Sequence, residues 1–170
     1  MRRMYGRCNV ITARKATADD IQVLSELLKE NQTIESSYES LPMLDNQINN
    51  LLSLYFGNNG FASFGENRFA HIFEEDGNFV GACFHEHESQ LTINVHLHIH
   101  KDFRGKGLAH KILELDASMC KGLVIVSMAP ESNKKLIKAM LKADYIAVGY
   151  VPNCWNWGGN IIGRVILFKE

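Results

Sequence analysis

The chain has 170 residues, 46% of them hydrophobic, and 18 Lys and Arg against 19 Asp and Glu, for a formal charge of −1. That size and apolar share suit a single globular domain, residues 1–170, with enough core to fold unaided. The balance of charge excludes bulk electrostatic binding of nucleic acid or of an anionic membrane, and no long uncharged apolar run offers a transmembrane helix.

Val10 to Lys15 reads as a short strand. Thr17-Ala18-Asp19-Asp20 then supplies an N-cap with an acidic residue at the capping-box position, ahead of Ile21, Leu24, Leu27 and Leu28, so a first helix runs to about Asn31. Gln32 to Pro42 is polar and expected to be loop. Leu44, Ile48, Leu51 and Tyr55 keep helical spacing until Gly57 and the Asn58-Asn59-Gly60 stop.

Arg68 to Glu75 and Asn78 to Glu88 are extended runs joined at Glu75-Asp76-Gly77-Asn78, a hairpin signal. From Leu91 to Ile99 the apolar residues fall on every second position, with Thr92, Asn94, His96 and His98 between them. If Glu88 opposes Leu91 across a tight turn at Ser89-Gln90, Phe84 opposes Val95 and Ala82 opposes Leu97. The apolar sets of both strands would then share one face, and His85, Thr92, Asn94, His96 and His98 the other.

Leu108, Ile112, Leu115 and Met119 predict a helix from Gly107 to about Cys120. Leu123 to Met128 suits a buried strand, Pro130 and Ser132 start a helix carrying Leu136, Ile137, Met140 and Leu141 on one face, and Ile146 to Val151 and Gly163 to Phe168 are strands around a Trp-rich loop, Asn153 to Asn160. The four cysteines, Cys8, Cys83, Cys120 and Cys154, lie far apart without a Cys-x-x-Cys pair, which argues against a disulfide framework or structural zinc. They read as free thiols of a reducing compartment, and with no secretory leader behind Arg2 and Arg3 a cytoplasmic protein is expected.

The stretch Arg104-Gly105-Lys106-Gly107-Leu108-Ala109 stands between the histidine-bearing strand and the helix that follows. A glycine loop there leaves unpaired N–H groups at a positive helix N-terminus and lets a ligand approach the backbone, which makes an anion site suited to a pyrophosphate. No Gly-Lys-Ser/Thr closes it, so it is not a Walker loop, and it lacks the three spaced glycines of a dinucleotide fingerprint.

Arg104-x-x-Gly107-x-Ala109 after Ile99-His100-Lys101-Asp102-Phe103 resembles the coenzyme A pyrophosphate loop of the GNAT superfamily, the acetyl-CoA-dependent N-acetyltransferases. The order strand, helix, helix, three antiparallel strands, helix, strand, helix, strand, strand extends the resemblance over nearly the whole chain. The segment Asn133 to Tyr145 is similar to the family's second coenzyme segment. The resemblance implies an α/β (α+β) GNAT fold, a mixed and mostly antiparallel sheet of about six to seven strands with about four helices. It implies acetyl-CoA as cosubstrate and a small-molecule or protein amine as acceptor, and it leaves homodimerisation open.

On the same resemblance, backbone at Leu97, His98 and Ile99 would pair with the pantetheine, with an amide at Leu97 or Ile99 as oxyanion donor, while amides of Arg104, Gly105, Lys106, Gly107, Leu108 and Ala109, with Asn133, would hold the rest of the coenzyme. Gln32 to Pro42 and Gly57 to Gly65 would shape the acceptor site. The family's frequent tyrosine, seven residues after the asparagine, is Met140 here, and the carboxylate of some members falls at Met128. Some members carry a His-x-His pair on the central strand, which makes His96 and His98 the candidate bases rather than Glu86, which the register above turns to the apolar face. Two rival readings stand beside this one. A metal could sit on His96, His98 and His100 with His85 and His87 nearby, but strand alternation explains that spacing and no carboxylate is placed to support a ligand, so no metal is expected. The lost tyrosine and carboxylate would also suit a catalytically silent acyl-CoA-binding scaffold.

Overall fold

The computed structural model describes residues 10–32, 43–56, 68–157 and 159–170. The elements are β1 (Ile11–Lys15), α1 (Ile21–Glu30), α2 (Asp45–Phe56), β2 (Arg68–Glu75), β3 (Asn78–His87), β4 (Thr92–Ile99), α3 (Ala109–Met119), β5 (Val124–Pro130), α4 (Lys134–Lys142), β6 (Ile146–Trp157) and β7 (Asn160–Lys169). The capping box before α1 is present: the Thr17 N–H donates to Asp20 Oδ2 at 2.8 Å. Arg14 grips the same carboxylate with two bonds of 2.8 and 2.7 Å, fastening the end of β1 to the start of the helix.

The seven strands form one sheet in the order β1-β2-β3-β4-β5-β7-β6. Only β4 and β5 pair in parallel. Both faces are covered. Leu24, Leu27 and Leu28 of α1 and Ile48 and Leu52 of α2 pack on Ile72, Ala82 and Phe84. Ile112 and Leu113 of α3 and Met140 of α4 pack on Phe73, Cys83, Ile93, Val95 and Ile125. Burial of each such side chain contributes about 1.5–3 kcal/mol, so the two layers of helix clamp the sheet from opposite sides.

The β3–β4 register differs from expectation by one residue. Phe84 stands opposite His96, Ala82 opposite His98, Cys83 opposite Leu97 and His85 opposite Val95. The reason lies in the turn, where the N–H groups of both Glu88 and Ser89 donate to the Thr92 carbonyl, at 2.9 and 3.2 Å, so that Leu91 is left out of the ladder and exposed. A slip of one residue exchanges the faces of one strand relative to its neighbour. His85 is therefore buried with Cys83 on the α3 side. Glu86, far from being turned away, shares the α1 and α2 side with His96 and His98.

A second correction concerns Asn153 to Asn160, expected as loop. β6 instead runs through to Trp157, with the pairing interrupted between Val151 and Trp155. Pro152 has no N–H to donate and Asn153 has φ of 49°, so the strand absorbs both in a bulge and resumes. The helix expected from Gly107 begins at Ala109. In α4, Met140 is buried and Leu141 exposed, which centres its inner face on Leu136, Ile137 and Met140. Met128, expected in a buried strand, is 40% exposed.

Candidate functional site

β4 and β5 stay paired only from Thr92↔Val124 to Asn94↔Val126. Ser127 Oγ still reaches the Val95 carbonyl at 3.1 Å, and beyond it the strands part. The gap opens a cleft of about 1050 Å³ whose lining comes from both faces of the sheet, Leu113 and Met140 on one side and Asn31, His96 and His98 on the other. Backbone polar groups alternate sides along a strand. The carbonyls of Val95 and Ile99 are directed to Ser127 and Arg104. Leu97, midway between them, therefore aims its N–H and C=O into the gap where the β5 ladder has ended.

At the far end of β4 the chain turns through Gly105 and Gly107, with φ of 76° and 73°, conformations that glycine adopts without strain. Leu108 then takes the N-cap of α3 with no side-chain hydrogen bond. An apolar cap cannot satisfy the first N–H groups of the helix, and Gly107, Leu108, Ala109 and His110 all line the cleft. The positive end of α3 thus faces the opening. Gly105 and Arg104 line it as well.

Arg104 acts as a strut. Its Nε donates to the Ile99 carbonyl at 2.9 Å and its Nη2 lies 3.4 Å from Glu30 Oε1, which also accepts from the Lys101 N–H at 2.9 Å. These bonds hold the loop against the ends of β4 and α1. Lys106 turns aside, its Nζ 4.8 Å from the Phe103 ring centre. Lys134 and Lys135, which the sequence reading passed over, bring further cations to the cleft beside Arg104. They follow Asn133, which lines the cleft and caps α4 by accepting the Leu136 N–H on Oδ1 at 3.0 Å.

His96 and His98 both line the cleft. The Asn94 side-chain amide lies 3.3 Å from His96 Nε2, within hydrogen-bond reach of the ring. Burial lowers His96 to about 4; Glu86 opposes this, while Arg164, His85 and Arg68 reinforce it. His98 is lowered to about 3, by burial first and then by His96 and Arg104. Glu86 is held by Arg68 at 3.2 Å and by the Tyr55 hydroxyl, which donates at 3.4 Å.

These histidines link site to stability. Their folded values lie below the ordinary 6.5, so the unfolded chain binds more protons between that value and about 4. Their stabilising contribution is full above pH 6.5 and is lost as pH falls toward 4 and then 3. At about 1.4 kcal/mol for each unit of pKa shift, each histidine should lose about 3 kcal/mol between pH 7 and 4. Thermal unfolding across that range should show the melting temperature falling with pH, and the slope should shrink in the His96→Asn/His98→Asn double variant. An unchanged slope in that variant would assign the loss to other groups.

Other residues with chemical potential stand apart from the cleft. Tyr145 is buried at the end of α4 with its hydroxyl unpartnered, and burial pushes its phenol upward. Tyr150 donates to Glu131 at 2.7 Å. Neither lines the cleft, whereas Met140 and Met128 do. Among the described residues, the His, Cys, Asp and Glu side chains that converge as ligands would are not His96, His98 and His100 but His71, His85, Asp116 and Cys120, with their donor atoms within 4.8 Å of one another. Asp116 accepts from His71 Nδ1 at 2.8 Å and from His85 Nε2 at 2.9 Å. Those two bonds hold the carboxylate below its usual range although burial opposes them. The sequence hid this triad because Asp116 sits on the inward face of α3 beside Ile112 and Leu113. The segments expected to shape the acceptor site, 33–42 and 57–65, lie outside the described residues, and only Gln32 of the first is described.

Arg164 and Trp155 complete the lining from β7 and β6, the guanidinium 4.2 Å from the indole ring centre. Reading 153–160 as loop concealed Trp155, and Arg164 appeared only as one polar residue of a strand.

No family model and no curated protein matches the sequence. Solved structures match its fold. A spermidine N-acetyltransferase of Vibrio cholerae, solved with CoA and spermine, superposes with a TM-score of 0.75 at 12% identity, over 94% of this chain and 94% of that one. An N-acetyltransferase of Staphylococcus aureus Mu50 gives 0.68 at 17% identity, over 95% and 98%. A protein of Acinetobacter baylyi ADP1 assigned as an acetyltransferase gives 0.76 at 15% identity, over 96% and 93%. At such identities the likeness is one of fold, and it agrees with the parted strands and the glycine loop: the chain adopts the GNAT fold, that of the acetyl-CoA-dependent N-acetyltransferases.

Proposed function

We propose that the protein transfers the acetyl group of acetyl-CoA to an amine by direct attack in a ternary complex. The observation that carries this reading is the parting of β4 from β5 beside the uncapped N-terminus of α3, which offers strand-edge backbone and helix N–H groups to one extended anionic ligand. The pyrophosphate would lie on the amides from Arg104 to Ala109, the pantetheine along Leu97, His98 and Ile99, and Asn133 with Lys134 and Lys135 would border the coenzyme from α4. The acceptor would enter from the α1 side, where His96 and His98 stand. The ammonium gives up one proton to His96, His98 or water, the freed amine attacks the thioester carbonyl, the Leu97 or Ile99 N–H steadies the oxyanion, and as the C–S bond breaks the nitrogen gives up its second proton to solvent, leaving the neutral amide and CoA thiolate.

No phenol lines the described cleft to protonate that thiolate. A thiol of pKa about 8.5 can depart unprotonated near neutral pH, so the loss need not stop turnover. The test is release of free CoA across a panel of polyamines, aminoglycosides, amino acids and protein N-termini. Wild type should turn over slowly with its cognate amine, and Met140→Tyr should raise the rate with little change in acetyl-CoA affinity, since the phenol acts on the transition state. Met140 is buried, so the larger ring should also lower the melting temperature, at a cost of about 1–3 kcal/mol. Ordinary enzyme rates in wild type that Met140→Tyr slows would assign the acid elsewhere.

The two methionines at Met128 and Met140 also favour a second reading, a silent acyl-CoA-binding scaffold. Saturable acetyl-CoA binding without CoA release from any amine in the panel would favour it over catalysis.

A further inference from the structure

The charge of the cleft points to the acceptor. Among the described residues that line it, Arg104, Lys134, Lys135 and Arg164 are cationic and none is Asp or Glu. Arg104 is engaged with Glu30, and the lysines stand at the start of α4 beside Asn133. Arg164 differs from these. Val165 and Leu167 of β7 face the α3 and α4 core, so the alternation of the strand turns Arg164 to the opposite side of the sheet, that of His96 and His98. No carboxylate among the described residues pairs with it, and its Nε is buried without a hydrogen-bond partner.

A guanidinium seated over an indole, as Arg164 is on Trp155 at 4.2 Å from the ring centre, is held in place by that contact and keeps its edge donors for a ligand. A carboxylate in the cleft can accept from two donors of such a fork at once, a stronger contact than any single neutral hydrogen bond. A polycationic acceptor would meet the reverse, a cation with no ion-pair partner and no carboxylate among the described residues that line the cleft, Glu86 behind them being held by Arg68. Resting on the acetyltransferase reading above, we propose that Arg164, seated on Trp155, binds a carboxylate of the acceptor, so that the substrate class is amines that also carry a carboxyl group, such as amino acids or peptides. The neighbour solved with spermine would then share the fold and differ in the charge of its acceptor.

The test compares each amino acid with the amine that lacks its carboxyl group, in the CoA-release assay with full-length protein, together with acetyl-CoA titration. The carboxylated member of a pair should have kcat/KM at least about tenfold higher. Arg164→Gln should raise KM for that member by about ten- to a hundredfold while leaving the decarboxylated amine and the acetyl-CoA affinity unchanged, and Arg164→Lys should recover part of the loss. Equal or better turnover of the decarboxylated amines by wild type, a comparison that needs no variant to fold, would overturn the inference and leave the acetyltransferase reading standing. So would an Arg164→Gln protein that loses acetyl-CoA affinity, which would make the residue part of the coenzyme site. Absence of acetyl-CoA binding in wild type would remove the reading and the inference together.

Discussion

Gly107→Glu should raise the dissociation constant for acetyl-CoA by at least about a hundredfold. A Cβ at Gly107 meets nothing within 4 Å, so room is not the obstacle. The new carboxylate would stand at the uncapped start of α3, where the pyrophosphate is expected. Two like charges 4 Å apart at an effective dielectric of about 20 repel by about 4 kcal/mol, roughly a thousandfold in affinity, and solvent screening reduces this. The backbone matters separately, because φ of 73° strains any residue with a Cβ by about 1–2 kcal/mol. Gly107→Ala carries that strain without the charge and should bind within about tenfold of wild type. If alanine costs as much as glutamate, the loop's conformation and not its charge sets the affinity. Unchanged affinity in Gly107→Glu would place the coenzyme elsewhere.

The second large effect concerns the acceptor side. Replacing both His96 and His98 by alanine should lower turnover by about a hundredfold or more, the usual contribution of a positioned base. The structure changes the form of the pH profile expected from histidine alone. An unperturbed ring would give an ionisation near 6.5, whereas burial sets His96 to about 4 and His98 to about 3. Both are neutral and able to accept a proton throughout the physiological range, but a base this weak takes one from an ammonium with little driving force. The acid limb carried by a histidine base should therefore fall near pH 4. A rate that climbs with pH above 7 would report ionisation of the amine itself. Full activity in the double variant would reject both histidines, and a matching loss in Glu86→Gln alone would move the role to the carboxylate that the true register brings beside them.

The sequence reading and the structure agree where local rules govern. The capping box at Thr17 and Asp20, the strand and helix order, and the glycine turn before α3 follow from residues a few places apart, and each is where those rules put it. Where pairing between distant segments decides, the reading failed. One extra residue in the 89–91 turn reversed the face assigned to His85 and Glu86, because alternation gives each strand two faces without saying which face of its neighbour it meets. The bulge at Asn153 let β6 continue through a proline that looks like a strand end. Asp116 carried no signal of its own, because its partners His71 and His85 lie 45 and 31 positions away in the chain. The glycine turn and helix start on one side of the cleft were legible because a loop and the helix after it make them. Arg164 and Trp155 were not, since only the pairing of β7 with β5 and of β6 with β7 brings them to the cleft.

On the proposed function, one coenzyme lies in the gap between β4 and β5, against the start of α3. Backbone amide exchange of the full-length protein, with and without saturating acetyl-CoA, tests it most directly. The account predicts saturable binding of one equivalent and slowed exchange at Leu97 and across 104–111, with little change in β1 and β2. Absence of binding, or protection that leaves Leu97 and the start of α3 untouched, would contradict it.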